Sequence, residues 1–326
     1  LGFFLHIPFP PLDIFLRLPW RQQVLEALLH YDVIGFQTER DRINFLGVVD
    51  YLMSDWEVKR IKGRVLMKRK WRDSPSESPE FSKVVEVGVF PISIDFDHFV
   101  RRSGSREVDS RARWLKELMA GSLIMIGIDR LDYTKGLPER LEAFRLALHR
   151  HPDLRRRLTL VQVVVPSRTD VPEYRDLKAE IEQLVGEING QFTIAGWVPI
   201  HYIFRSLPED ELYAYYRAAQ IALVTPLKDG MNLVAKEYCA CHLEDDGVLI
   251  LSEFAGSAFQ LGKDALLVNP YDLEGVAEAI YTAFTMSLDE KRRRMSRLRA
   301  LIKRHDIFWW LHSYLKSALS PPEKAV

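Results

Sequence analysis

Five apolar stretches recur between residues 123 and 268 without the polar alternation of a half-exposed strand: 123–128, 158–165, 221–225, 248–251 and 266–268. Segments of amphipathic helical spacing separate them. A strand with no polar face must be covered on both sides, and strands joined by helices run parallel. The pattern therefore predicts a doubly wound parallel α/β sheet, which binds ligands beyond the carboxyl ends of its strands. The residues following each strand are where chemistry is to be sought.

Upstream, GFFL at 2–5 reads as a buried strand that already belongs to a sheet, so the chain is expected to begin inside a domain. A helical pattern over 23–30, a short strand over 33–36 and a helix over 41–52 capped by Thr38 follow. An exposed loop is expected over 68–83, where RDSPSESPE mixes charge with Ser and Pro. A strand over 84–90 leads into PISID, and a hinge is expected at about 96–118. The expected domains are 1–97, 98–304, and 305–326 as an aromatic helix (Phe308, Trp309, Trp310, Tyr314) packing back on the first. The basic run at 291–294 reads as a solvated helix face.

A length of 326 residues suits two domains of ordinary size. With 45 Lys and Arg against 45 Asp and Glu, a protein working by bulk attraction to nucleic acid is not expected. No apolar run reaches the roughly 18 residues of a membrane span, and LGFFLHIPFPP lacks a basic leader and a small-residue cleavage site, so no signal peptide is expected. Cys239 and Cys241 stand too close for a disulfide framework and fall in a helical stretch, which implies a reducing, cytoplasmic setting. The expected partners are small molecules, neither nucleic acid nor membrane, with a homo-oligomer left open.

The strand ends carry unusual chemistry. Strand 123–128 runs into Asp129-Arg130-Leu131-Asp132-Tyr133-Thr134-Lys135-Gly136, with Pro138 in the first turn of the next helix. Arg130 and Lys135 place two cations beside a helix N-terminus that itself attracts anions, a setting suited to a diphosphate. The competing reading is a surface salt-bridge cluster of Asp129, Arg130 and Asp132. Strand 158–165 ends in Pro166-Ser167-Arg168, which is either a third cation on the same rim or a plain loop arginine. Strand 221–225 ends in PLKDGMNLVAKE. There Gly230 allows a sharp turn, and a helix starting near Met231 or Asn232 aims free N–H groups above the sheet. Asp229 can reach sugar hydroxyls, and Glu237, two turns in, can accept both hydroxyls of a ribose. The alternative is an N-terminal charge effect for Asp229 and a helix-surface Glu237. Small residues in SEFAGSA at 252–258 allow close approach of a backbone to a ligand, or form an ordinary turn. His6 is the one histidine at a strand end beside two prolines, where a satisfied structural residue is the ordinary reading. No histidine spacing fits a metal.

Taken together, GFFLHIPFP, LPWR, DVIGFQT, FPISID, DRLDYTKGLPER, PSRTDVPEY, INGQF, GWVPIHY, VTPLKDGMNLVAKEY, LSEFAG and VNPYD make the chain similar, over nearly its whole length, to the trehalose-6-phosphate synthase family. That resemblance implies a GT-B fold, two Rossmann-like doubly wound domains facing a cleft. It also implies retaining transfer of glucose from UDP-glucose to glucose 6-phosphate, with no metal and no other cofactor. Arg130 and Lys135 would contact the donor diphosphate and Asp229 the donor glucose. The Gly230 turn and the amides of Met231, Asn232, Leu233 and Val234 would cover diphosphate and sugar, with Glu237 on the ribose. Arg168 would meet the acceptor phosphate, and His6 the transferred glucose. Front-face attack is implied, the departing diphosphate serving as base. Family members carry a further segment ahead of GFFLHIPFP, so the first domain is expected to be incomplete. FPISIDF also resembles glucosylglycerol-phosphate synthases, which use glycerol 3-phosphate, and a non-catalytic nucleotide-binding subunit or fragment is a separate class. A phosphorylase would need a pyridoxal lysine, which no local pattern singles out. UDP, GDP and ADP would find the same diphosphate and ribose contacts.

Overall fold

A computed structural model describes residues 1–61, 64–69, 83–119, 121–168 and 170–319. The chain divides into two compact units, Leu1–Ile92 together with the carboxyl-terminal segment from Ile307, and Ser93–Asp306.

The first unit contains β1 (Gly2–Phe4), α1 (Leu12–Phe15), α2 (Arg21–Leu28), β2 (Val33–Phe36), α3 (Glu39–Leu52), β3 (Trp56–Ile61), β4 (Arg64–Arg69) and β5 (Val84–Val89). Thr38 caps α3, its hydroxyl accepting from the Asp41 amide at 3.2 Å. The sheet order is β1-β2-β5-β4-β3. β1, β2 and β5 are parallel, whereas β4 runs antiparallel to both β5 and β3. No strands are expected from sequence at 56–69, where Lys59, Arg60 and Lys68 interrupt the apolar residues. That mixture suits an antiparallel pair at a sheet edge, with one face solvated. Lys68 and Arg69 end β4 rather than opening a loop, and residues 70–82 of the expected loop lie outside the described residues. Phe9, Phe15, Ile34, Phe36, Phe45, Met67 and Val87 form this unit's core.

The second unit contains α4 (Phe96–Ser103), α5 (Arg106–Leu118), β6 (Leu123–Arg130), α6 (Leu137–Arg150), β7 (Leu158–Val165), α7 (Pro172–Phe192), β8 (Ile200–Phe204), α8 (Glu209–Ala218), β9 (Ile221–Val224), α9 (Leu233–Cys241), β10 (Val248–Ser252), α10 (Ala258–Leu261), β11 (Leu266–Val268), α11 (Leu273–Thr285) and α12 (Leu288–Arg304). α13 (Ile307–Leu319) then returns to the first unit, where Trp310 donates to the Phe90 carbonyl at 3.0 Å and Tyr314 faces Gly2 and Gly35.

The hinge expected over 96–118 is instead two capped helices. Asp95 accepts from the His98 amide at 2.9 Å and Ser105 from the Val108 amide at 3.3 Å. Phe96, Val108, Ala112 and Leu115 are buried against the second sheet, so the segment belongs to the core of that unit.

All six strands of the second sheet are parallel, in the order β11-β10-β9-β6-β7-β8. Ile124, Ile126, Ala222 and Leu249 pack on one face, and Met125, Leu160, Leu223 and Ile250 on the other. Covering on both faces explains why these strands carry no polar side. From β6 the chain proceeds to β7 on one flank and later returns to β9 on the other. The seam between β6 and β9 is thus the topological switch point, where an open α/β sheet has its crevice. No helix among the described residues is long and apolar enough to cross a membrane.

Candidate active site

The loops after β6 and β9 meet over this seam. Asp132 opens the first with a short turn, accepting from the Thr134 amide at 2.8 Å, and Gly136 closes it at φ 62°. A Cβ on Gly136 would lie 2.9 Å from the Thr225 carbonyl, so close approach and left-handed backbone both demand glycine. The amides of Leu227 and Lys228 donate to the Thr134 carbonyl at 2.8 and 3.2 Å, binding the loops together.

The β9 loop is also laced to the loop after β10. The Asp229 amide donates to Phe254 O at 3.3 Å, Gly256 N to Asp229 O at 3.1 Å, and Ser257 N to Met231 O at 2.8 Å. A Cβ on Gly256 would stand 1.9 Å from the Gly230 carbonyl, which explains the glycine in SEFAGSA. The sharp turn expected at Gly230 is made at Asn232, with φ 67°. Asparagine tolerates this conformation because its short side chain bonds locally, here by accepting from the Ala235 amide at 3.3 Å as the cap of α9. The helix thus begins at Leu233. The amides of Leu233 and Val234, in its first turn, have no intrahelical carbonyl to bond and form a ready anion site.

Lys135 reaches across the seam to Asp229, Nζ to Oδ2 at 2.6 Å, with both side chains mostly shielded from solvent. The other Asp229 oxygen accepts from the Met231 amide at 3.1 Å, and Asn232 Nδ2 donates to Oδ2 at 3.2 Å. Residues 135, 229, 231 and 232 therefore converge. Arg130, the last residue of β6, is exposed, and its side chain makes no hydrogen bond or ion pair with the described residues. Arg168 follows β7 at φ 48°, its guanidinium donating to the Tyr174 hydroxyl at 3.3 Å. His6 lies in the first unit, exposed, its ring edge-on to Phe4 at 4.9 Å.

The surface salt-bridge reading of Asp129, Arg130 and Asp132 does not hold. Asp129 is buried and pairs with the fully buried Arg140 on α6. Arg140 also donates to Thr225 Oγ1 at 3.0 Å, Gln162 Oε1 at 3.3 Å and the Lys135 carbonyl at 3.5 Å. Gly127 makes room for it, since a Cβ there would meet Gln162 and Arg140 within 2.8 Å. Sequence reasoning missed this network although it left two signals. Arg140 falls on the apolar stripe of Leu137, Leu141 and Phe144, and Gln162 interrupts an otherwise uniformly apolar strand.

Glu237 is not a plain surface residue of α9. The buried Tyr216 hydroxyl donates to its Oε2 at 2.8 Å. Burial pushes the Glu237 carboxyl up while this bond pulls it down, with burial the larger effect. The adjacent Lys236 is buried and donates to Gln260 Oε1 at 2.7 Å; burial draws its ammonium down to about 7. Cys239 and Cys241 are buried free thiols on the same helix. Among the described residues no group of three or more His, Cys, Asp or Glu is placed to hold a metal ion.

At the switch point Arg130 ends β6, Lys135 on the following loop reaches Asp229 on the β9 loop, and α9 begins beside them. The family model described as glycosyltransferase family 20 matches residues 1–319. The chain belongs to this family. As a family 20 chain it is 43% identical over 316 residues to a trehalose-6-phosphate synthase of Mycolicibacterium paratuberculosis, covering 97% of this chain and 63% of that relative. It is also 43% identical over 322 residues to a bifunctional trehalose-6-phosphate synthase/phosphatase of Thermoproteus tenax, covering 98% and 42% respectively. Among solved structures, this family 20 fold is similar to trehalose-6-phosphate from E. coli bound with UDP-2-fluoro glucose, with a TM-score of 0.89 and 35% identity over 98% of this chain and 68% of the other. An alpha,alpha-trehalose-phosphate synthase (UDP-forming) from Burkholderia xenovorans, in complex with glucose-6-phosphate, gives 0.89 and 33% over 97% and 67%. The chain spans about 63% of the length of the first of these relatives.

Proposed function

We propose that the chain is the donor-binding part of a retaining glucosyltransferase that moves glucose from UDP-glucose to glucose 6-phosphate, giving trehalose 6-phosphate. The observation that carries this reading is the convergence of Lys135, Asp229 and the start of α9 over the β6–β9 seam. The likeness to proteins bound with UDP-2-fluoro glucose and glucose-6-phosphate supports it.

Breaking the bond between the anomeric carbon and the diphosphate leaves negative charge on the nucleotide. Donors already fixed in place stabilise that charge without reorganising. Arg130, Lys135 and the amides of Leu233 and Val234 supply them, while Asp229 accepts from a hydroxyl of the departing glucose. Because Lys135 and Asp229 are paired, the lysine is pre-aimed and the diphosphate shares a cation already held in position. The acceptor hydroxyl attacks from the face the diphosphate leaves. Its oxygen bonds the anomeric carbon, the old C–O bond breaks, and the acceptor proton passes to a departing phosphate oxygen. The anomeric configuration is thereby kept. Glu237 takes the ribose and Arg168 the acceptor phosphate.

The test is to incubate the chain with UDP-glucose and glucose 6-phosphate and identify the product by mass spectrometry and its linkage by NMR. The expected product is α,α-linked trehalose 6-phosphate. Transfer to glycerol 3-phosphate but not to glucose 6-phosphate would replace the acceptor, and calorimetric UDP binding without any transfer would reduce the role to nucleotide binding.

A further inference from the structure

Tyr216 on α8 is fully buried, and its hydroxyl donates to Glu237 Oε2 at 2.8 Å. A buried phenol needs a partner, and this one has committed its proton to the carboxylate. Its ring is held edge-on against Tyr238 at 6.4 Å, and the Tyr238 hydroxyl is in turn fixed on the Ala219 carbonyl at 3.3 Å. The tyrosine therefore has little freedom to follow the carboxylate, and the carboxylate is the group that is oriented. A carboxylate offers about four lone-pair sites on two oxygens. Tyr216 takes one on Oε2, and no other hydrogen bond to Glu237 is formed by the described residues.

We infer that Tyr216 is a positioning residue for nucleotide binding, its hydroxyl fixing the Glu237 carboxylate so that the remaining lone pairs are held ready for the two ribose hydroxyls of a nucleoside diphosphate. The inference rests on the ribose reading of Glu237 given above. A preset acceptor loses less freedom when it binds, which is the general source of tighter binding from preorganisation.

The same hydroxyl favours the ionised form of the acceptor. The ionised carboxylate is much the stronger acceptor for the two ribose hydroxyls. Burial raises the Glu237 carboxyl and Tyr216 alone opposes that rise, with no contribution from α4, α12, β9 or β10. Tyr213 on α8 and Cys241 on α9 feel the Glu237 charge, but burial holds the first at about 12 and pushes the thiol up, so both stay neutral where Glu237 titrates. Removing the hydroxyl leaves burial unopposed. Nucleotide affinity should then fall away at a higher pH than in the parent chain.

The experiment is calorimetric titration of UDP and 2′-deoxy-UDP into the full chain, into Tyr216→Phe, Glu237→Ala and the double variant, each repeated across a pH series. Far-UV circular dichroism checks that each variant is folded. The parent should prefer UDP. Tyr216→Phe should bind UDP about tenfold more weakly, the scale of one hydrogen bond to a charged group. It should show a smaller preference over 2′-deoxy-UDP and lose affinity at a higher pH, and it should have no further effect in the Glu237→Ala background. Equal weakening with and without Glu237 would mean general loosening and would overturn the inference. So would a weakened Glu237→Ala beside an unchanged Tyr216→Phe, which leaves the ribose reading standing. A Glu237→Ala chain that binds like the parent, or a parent that binds neither nucleotide, overturns the ribose reading and the role of Tyr216 with it.

Discussion

Arg140 and Asp129 form an ion pair from which solvent is excluded, and the same guanidinium reaches the carbonyl of Lys135 at 3.5 Å. The pair therefore ties the ends of β6 and β9 to the loop that carries the proposed diphosphate contacts. Burial pushes the Asp129 carboxyl up and the guanidinium draws it back.

Replacing Arg140 with Met keeps most of the volume and strands a buried carboxylate. Breaking a buried pair from one side costs about 3–5 kcal/mol. Urea unfolding of Arg140→Met should show a loss on that scale. A midpoint within error of the parent would mean that the pair contributes nothing to the fold.

Lys135→Ala removes the ammonium that reaches across the seam to Asp229. Loss of a single preorganised donor lowers turnover by on the order of a hundredfold or more, and steady-state glucosyl transfer by the folded variant should fall by that factor. Unchanged turnover would remove Lys135 from the chemistry.

Gly256→Ala tests the lacing of the β9 loop from a residue that bears no side chain. The added methyl would stand 1.9 Å from the Gly230 carbonyl, so one of the two loops must move. Small displacements of a binding constellation can cost up to about a hundredfold. The variant should lose at least about tenfold in UDP affinity on that account, and calorimetry that finds parental affinity would show that the loop's position is immaterial.

Lys236 gives a pH signature. Burial draws its ammonium down to about 7 in the fold, from the ordinary lysine value of 10.5 that it regains when unfolded. Between those limits the unfolded chain binds more protons, so the native state gains stability as pH rises from about 7 toward 10.5, and the burial penalty is complete below about 7. Lys236→Met lacks this dependence. Thermal melts of parent and variant across that range should show the parent gaining on the variant as pH rises, and parallel curves would refute the shift.

Much of the fold was readable because its cause is local. Uniformly apolar strands announced a sheet covered on both faces, and Thr38 announced the start of α3. The strand-end loops were readable in place but not in backbone detail, since the turn expected at Gly230 is made at Asn232 and the left-handed Gly136 gave no signal of its own. What escaped depends on partners distant in sequence. Arg140 resembles any charged helix residue until Asp129, Gln162 and Thr225 are brought around it, and Tyr216 becomes more than core only when α8 lies beside α9. β3 and β4 were hidden because basic residues on a solvated edge imitate a loop.

Lys135 and Asp229 are 94 residues apart in sequence and meet across the junction of two strands that are neighbours only in the finished sheet. Neither flank of the sheet holds half of a working grip. The Lys135–Asp229 contact can exist only once the β6 and β9 flanks are paired, and pairing that distant in sequence is slow to form. A nucleotide bound there as proposed would touch both flanks and would therefore stabilise the finished sheet in proportion to its occupancy.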